Sequence, residues 1–589
     1  ASVNMQTEGI SMQPYAEINA SYGSFNAHKE TVKFGTGLLK DHWAFDARLS
    51  NIGTDGYIDR ASVDLYSFYA QGGYFADNTS VKFITFGGKE KTYHAWNYAT
   101  KEEMKKYGRR FNSCGMYTDD DGHIRFYKDQ TDNYLQMNYQ LLLNHTFSAA
   151  WNLNAALHYT KGDGYYQEYK EDRSLKEYRL HPFMYDGKEV EKSDLIRQKK
   201  MDNHFGGGVF SVNYRNEKLD ASLGGALNYY DGWHFGRVIW VKNYIGELLP
   251  DHEYYRNKAK KTDGNLYLKA NYNLVAGLNA YADLQYRYIN YKIHGDNDKY
   301  DYYTDGLQKL AVNDHFNFFN PKAGLNWDID SNNRVYASFS VAQKEPTRNN
   351  YTDGNADEYP KAEKLYDYEL GYTYRNTWLS AGVNFYYMDY KDQLVLTGEL
   401  NEIGEAMARN VPDSYRTGVE LMLGVKPCRW FQWDINGTLS KNRVKNFTEK
   451  LYEDEWKNPI EVEHGNTPIA FSPDFILNNR FSFSHKGFEA ALQSQYVSKQ
   501  YMSNAKQAEQ TLDAYFVSNL NLAYTFQLRH VKSVTVGFTI YNLFNEKYEN
   551  NGYAGSGYTL KDGKPERYNY AGYAAQAGTN VMGNISIRF

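Results

Sequence analysis

The sequence predicts an all-β fold: a 22-stranded antiparallel transmembrane β-barrel with short periplasmic turns and long extracellular loops. Three observations carry that expectation. Apolar and polar residues alternate with period two from one end of the chain to the other. The connections between these segments are sorted, short then long. The last ten residues, NVMGNISIRF, stop on Phe589 in the middle of an alternating segment.

The alternation is plain in individual strands. Trp43, Phe45, Ala47 and Leu49 interleave with Ala44, Asp46, Arg48 and Ser50. Val335, Ala337, Phe339 and Val341 interleave with Tyr336, Ser338 and Ser340, and Val534, Val536, Phe538 and Ile540 with Thr535, Gly537 and Thr539. One face of each strand is apolar and the other polar, as in antiparallel strands with two different environments.

Short turns fall at Lys40-Asp41, Asp77-Asn78, Ser148-Ala149, Asn216-Glu217, Leu274 to Gly277, Asp330 to Asn333, Arg375-Asn376, Lys426 to Arg429, Lys486-Gly487 and Arg529 to Lys532. Longer connections lie between them. The largest run from Asn97 to Asp132, Gly164 to His204, Asp231 to Asp263, Phe447 to Ile469 and Asn545 to Gly578. Ten short and eleven long connections join 22 strands. That sorting belongs to outer-membrane barrels, because only a bilayer gives the two rims different environments. A spanning sheet must also close, since lipid offers no partners to an open edge. The terminal strand should therefore pair with the first, near Tyr15 to Ser24. Phe589 should then stand in the periplasmic aromatic girdle and act as closure residue and assembly signal.

Bulk properties agree. The mean hydropathy is -0.74 and no stretch approaches the ~20 apolar residues of a membrane helix. Aromatics are 17% of the chain, with 57 Tyr against 12 Pro. Tyr favours strands and surfaces that are apolar at one end and wet at the other. The net charge of -5 brings no basic stripe, so nucleic acid is not an expected partner. Cys114 and Cys428 should lie on opposite sides of the membrane, unbonded. Neither a charged n-region nor an apolar h-region opens the chain, so whatever preceded Ala1 is expected to have been removed. No nucleophile elbow, His-Glu-x-x-His or paired-cysteine spacing occurs, and no enzyme is expected.

Several segments resemble TonB-dependent outer-membrane transporters of the siderophore, haem and cobalamin receptor type, in the form found in Bacteroides-like bacteria. They are Phe319 to Trp327 (FNPKAGLNW), Val335 to Ser340 (VYASFS) and Glu345-Pro-Thr-Arg348. Tyr368 to Tyr372 (YELGY), Asn410, Gly418-Val-Glu420 and Ile540 to Tyr548 (IYNLFNEKY) follow in order. The resemblance implies energy-coupled import in a Gram-negative outer membrane. It makes residues 1–10 the remnant of the last plug-domain segment and 11–589 the barrel. The plug and its TonB-contacting motif are not among these residues, so coupling to the inner-membrane TonB complex would run through that missing region.

The resemblance also places ligand recognition in the long loops and upper inner wall. Aromatic rings there bind flat ligands by area and stacking, and cations complement an anionic chelate. The candidates are Tyr93, Trp96 and Tyr98; Trp233, His234, Arg237 and Trp240; Arg348 and Tyr351; and Tyr558, with Tyr553, Tyr568, Tyr570 and Tyr573 beside it. Against each single tyrosine stands the ordinary reading of belt or loop packing. His94, His204 and His234 would suit an axial haem ligand, although a lone loop histidine is more often a solvated side chain. Asp119, Asp120 and Asp121 offer oxygen ligands for calcium without completing an EF-hand loop. No other cofactor is expected. Iron-siderophore is the first expected cargo, ahead of haem or cobalamin. Next comes oligosaccharide with a surface lipoprotein partner, and a passive porin is last.

Overall fold

The computed structural model describes residues 8–249, 252–302, 304–353, 359–401, 404–453 and 457–589. Twenty-two strands form a closed antiparallel barrel in which sequence neighbours pair. One further strand, Lys457–Pro468, pairs with the upper part of Phe431–Glu453, whose lower part pairs with the next barrel strand, Phe475–His485. Closure follows the expected register. Pro14–Gly23 pairs with Asn580–Arg588 from Glu17 opposite Arg588 to Gly23 opposite Met582. The Phe589 N–H donates to the Ala16 carbonyl at 2.9 Å, and the ring is exposed at the short-turn rim.

The faces are those of a barrel in lipid. Trp43, Phe45 and Leu49 are exposed on the outside, while Ala44 and Asp46, pointing inward, are buried. Leu227, Leu266, Leu284 and Phe319 continue the exposed apolar band on neighbouring strands. Such a band needs a hydrocarbon neighbour; among the described residues no helix is long and apolar enough to cross a membrane. The protein is thus an outer-membrane barrel.

All ten short turns lie where expected. The opposite rim differs in how its length is built. Trp151–Ser174 and Lys192–Arg215 run 24 residues each, whereas about 9–11 cross a bilayer. Much of the expected loops Gly164 to His204 and Asp231 to Asp263 is therefore strand. The actual connections are 175–191 and 242–252. The connections at 24–27, 302–305 and 401–405 are themselves short. Above the membrane the outer face of a strand meets water, so Lys and Asp replace Leu there and imitate loop composition.

Other outer connections carry local structure. Residues 94–130 hold the helix Lys101–Tyr107, opened by a capping box in which Thr100 and Glu103 bond each other's backbone N–H. Residues 542–579 hold the hairpin Glu549–Lys561 with Lys564–Ala575. At the short-turn rim, Glu8 to Gln13 follow the inner wall. The Ser11 N–H donates to Asp46 at 3.0 Å, and Gln71 donates to Asp46 at 3.1 Å. Of the expected plug remnant, residues 1–7 lie outside the described residues. Cys114 and Cys428 are free and belong to opposite rims.

Candidate functional site

The long strands enclose a cavity of about 930 Å³ toward the outer rim. Tyr134, Tyr166, Tyr178, Tyr254 and Tyr255 supply aromatic wall, and acidic and basic side chains line it in equal number. Most of those charges are spoken for. Arg197 and Glu168 stand opposite each other across two strands and pair at 2.9–3.0 Å, both almost fully buried. Burial would raise the Glu168 pKa, but Arg197, Lys170 and Lys199 outweigh it and hold the carboxyl down to about 2. Lys199 pairs with Asp298, and Arg173 with Glu177 at 2.8 Å. Leu175, Tyr178, Leu195, Val238 and Tyr254 pack behind this array as a small apolar core.

Arg348 differs from the others. It opens the short helix Arg348–Thr352, just past the strand Asn333–Lys344. The intervening Glu345 anchors that passage through Lys261 and through Arg287 at 3.1 Å. The Arg348 Nη2 donates to the neutral Asn257 Oδ1 at 2.6 Å, and its buried Nη1 has no partner. Four other cavity-lining atoms, His234 Nε2, Tyr166 OH, Tyr254 OH and Arg173 Nε, are likewise buried and unpartnered. Burial, with Arg348 nearby, lowers the His234 pKa to about 3, so the ring is neutral. Buried polar atoms are rarely left unpaired without a reason.

The structure separates the sequence-derived candidates. His234 and Arg348 line the cavity. Trp233 and Arg237 stand on the opposite face of the same strand, Leu219–Val241, as alternation requires. Arg256 and Lys258 lie over the Trp233 ring at 5.1 and 4.6 Å, and Arg237 pairs with Glu253 at 3.3 Å. Trp240 sits 6.0 Å from Tyr169, half exposed. The Tyr93 hydroxyl donates to the carbonyls of Cys114 (3.1 Å) and Tyr127 (2.9 Å), pinning the connection above it. Trp96 stacks on buried His94 at 3.8 Å, where burial lowers the His94 pKa to about 4. Tyr98 stacks on Tyr553 at 6.4 Å. Tyr351 donates to Asp314 at 2.6 Å and Tyr558 to the Asn458 carbonyl at 2.5 Å. His204 accepts or donates to Tyr159 at 2.7 Å outside the cavity.

The acidic run divides too. Ligand atoms of Asp119, Asp121 and His123 come within 4.8 Å of one another, but Asp119 is engaged by Arg125 at 2.8 Å. Asp120 pairs instead with Lys242 at 2.5 Å. Glu168, Arg197, Tyr166 and Tyr254 were not singled out from sequence, because only strand register brings them together.

The barrel has known counterparts. A curated "Pesticin receptor" of Yersinia enterocolitica is 24% identical over 225 residues, 37% of this chain and 30% of that protein, so the match spans under a third of the relative's length. The ferric yersiniabactin uptake receptor of Yersinia pestis superposes with TM-score 0.69 at 14% identity, covering 99% of this chain and 81% of that one. The siderophore receptor PiuA of Acinetobacter baumannii gives 0.70 at 11% identity, covering 99% and 82%. A copper transporter gives 0.70 at 12% identity with the same coverage. At these identities the structural likeness establishes fold. The family model for the TonB dependent receptor-like beta-barrel matches residues 74–543, most of the chain, and the protein belongs to that family.

Proposed function

We propose that this barrel imports an anionic metal chelate, an iron-siderophore complex first, by TonB-coupled movement of a plug. The carrying observation is Arg348: a guanidinium in a tyrosine-lined cavity, held by a neutral amide and with a buried donor left open. Of the other cations lining the wall, Arg173, Arg197, Lys199 and Lys299 pair with carboxylates, and Lys200 lies over the Tyr165 ring. A negatively charged, ring-bearing ligand would complete the open Arg348 donor. The ferric yersiniabactin uptake receptor and the siderophore receptor PiuA, which share the fold, support the cargo class. Import also requires the inner-membrane TonB complex, and a surface lipoprotein could deliver the ligand. Haem is the second reading, favoured by the neutral, unpartnered His234 ring at the cavity. Neither reading requires bond-making residues or calcium.

Calorimetry on the plug-containing receptor tests this, with ferric siderophores, haem, cobalamin and oligosaccharides as the panel. One ferric chelate should bind tightly. Arg348→Ala should weaken that binding about 10–100-fold, the loss expected for a charged hydrogen bond of roughly 1.5–3 kcal/mol. Tight binding of an oligosaccharide alone, or a large steady pore with the plug in place, would refute the reading.

A further inference from the structure

The Trp233 cluster faces away from the cavity, and the outer wall there has its own chemistry. On strands Glu253–Val275 and Leu278–Asp301 the pattern alternates strictly: Asn257, Ala259, Tyr291 and Ile293 are buried, whereas Arg256, Lys260, Lys292 and His294 are exposed. Register sets Lys258 opposite His294 and Lys260 opposite Lys292. Two like charges directly across a ladder repel. Lys258 has a carboxylate, Asp231 at 2.9 Å, and Arg256 has Glu253 at 2.6 Å. Among the described residues neither Lys260 nor Lys292 has a carboxylate within ion-pair distance: Asp231 stands opposite Lys260 in register, but Lys258 engages it. The outward positions of the next strand, His315, Asn313 and Ala311, lie opposite Asn290, Lys292 and His294 and add no carboxylate.

Height fixes the partner. On the same outward face Leu284, Tyr286 and Tyr288 are exposed and end the apolar band. Lys292 lies four residues beyond Tyr288, about 13 Å along the strand and roughly 10 Å in height at a barrel tilt near 40°. With the reach of a lysine side chain, this is the depth of lipid headgroups, which extend about 5–7 Å beyond the hydrocarbon. Basic pockets at that depth collect anionic headgroups. We propose that Lys260 and Lys292, flanked by Lys258, His294 and Arg256 with Trp233 beneath, form a site for a phosphate-bearing lipid headgroup of the outer leaflet. The phosphate sits between the two lysines and relieves their repulsion. This site is independent of the cavity and its cargo.

Native mass spectrometry of the detergent-solubilised protein tests it, with bisphosphoryl lipid A and its dephosphorylated form as probes. The wild type should retain the phosphorylated probe at least fivefold better than the dephosphorylated one. Lys260→Gln with Lys292→Gln should abolish that difference, and Lys309→Gln, whose lysine already pairs with Asp296, should keep it. Equal retention of the two probes by the wild type, which needs no variant to fold, would overturn the proposal. So would undiminished preference in the double variant.

Discussion

Arg197→Met is expected to destabilise the extracellular part of the barrel by about 3–5 kcal/mol at neutral pH, the usual result of stranding one member of a buried ion pair. Glu168 would keep Lys170 at 3.2 Å, but it would lose both guanidinium contacts. Tyr178 would also lose the Arg197 donor that reaches its hydroxyl at 3.3 Å. The pH dependence should reverse sign. In the wild type the Glu168 pKa is depressed to about 2 from 4.5, so its contribution is full above pH 4.5 and fades as the pH falls toward 2. That shift corresponds to about 3 kcal/mol, in line with the mutational figure. In the variant, burial without Arg197 raises the Glu168 pKa, and acid neutralises the stranded carboxylate. The deficit should therefore be largest at pH 7–8 and shrink toward pH 5. Hydrogen exchange of residues 175–190, which pack on this pair, reads the local opening. A deficit that grows on acidification would contradict the assignment.

The contrast between that pair and the short turns shows what a single sequence discloses. Lys486-Gly487 is legible because a two-residue hairpin of type I′ needs positive φ at both positions, and the structure has 47° and 83° there. The membrane part of each strand is legible because lipid on one side and water on the other force strict alternation. Above the bilayer both environments are wet, and the outer residues of Glu253–Val275 change from Leu266 and Leu268 to Arg256, Lys258 and Lys260. Strand then reads as loop. Treating Trp233 to Trp240 as one loop cluster hid the consequence of adjacency, since neighbours in a strand must point opposite ways. His234 goes to the cavity and Trp233 to the outside for that reason alone. Arg197 and Glu168 lie 29 residues apart and meet only through register, which no local motif encodes.

The membrane-facing half of the same logic gives the other large effect. Ile585→Arg should cost about 2–4 kcal/mol, as for a cation near the bilayer midplane on the lipid face, while Asn584→Ser should be nearly neutral. Ile585 is exposed and stands between Ala20 and Val536 in the seam that closes the barrel. It lies four residues from Phe589 at the short-turn rim, so strand rise and tilt bring it roughly 10 Å into the apolar band. Val536 and Phe538, exposed on the partner strand, mark the same face as lipid-bound. Asn584 lies between Ser21 and Gly537 on the other face, toward the lumen, where an arginine or a serine keeps its water. Urea titration of the barrel refolded into bilayers measures both variants. Because the seam joins the first strand to the last, the Ile585→Arg loss should appear in the global transition rather than as local fraying. Equal costs at the two positions would mean that the faces of the closing strand are exchanged, and with them the register that sets Glu17 opposite Arg588.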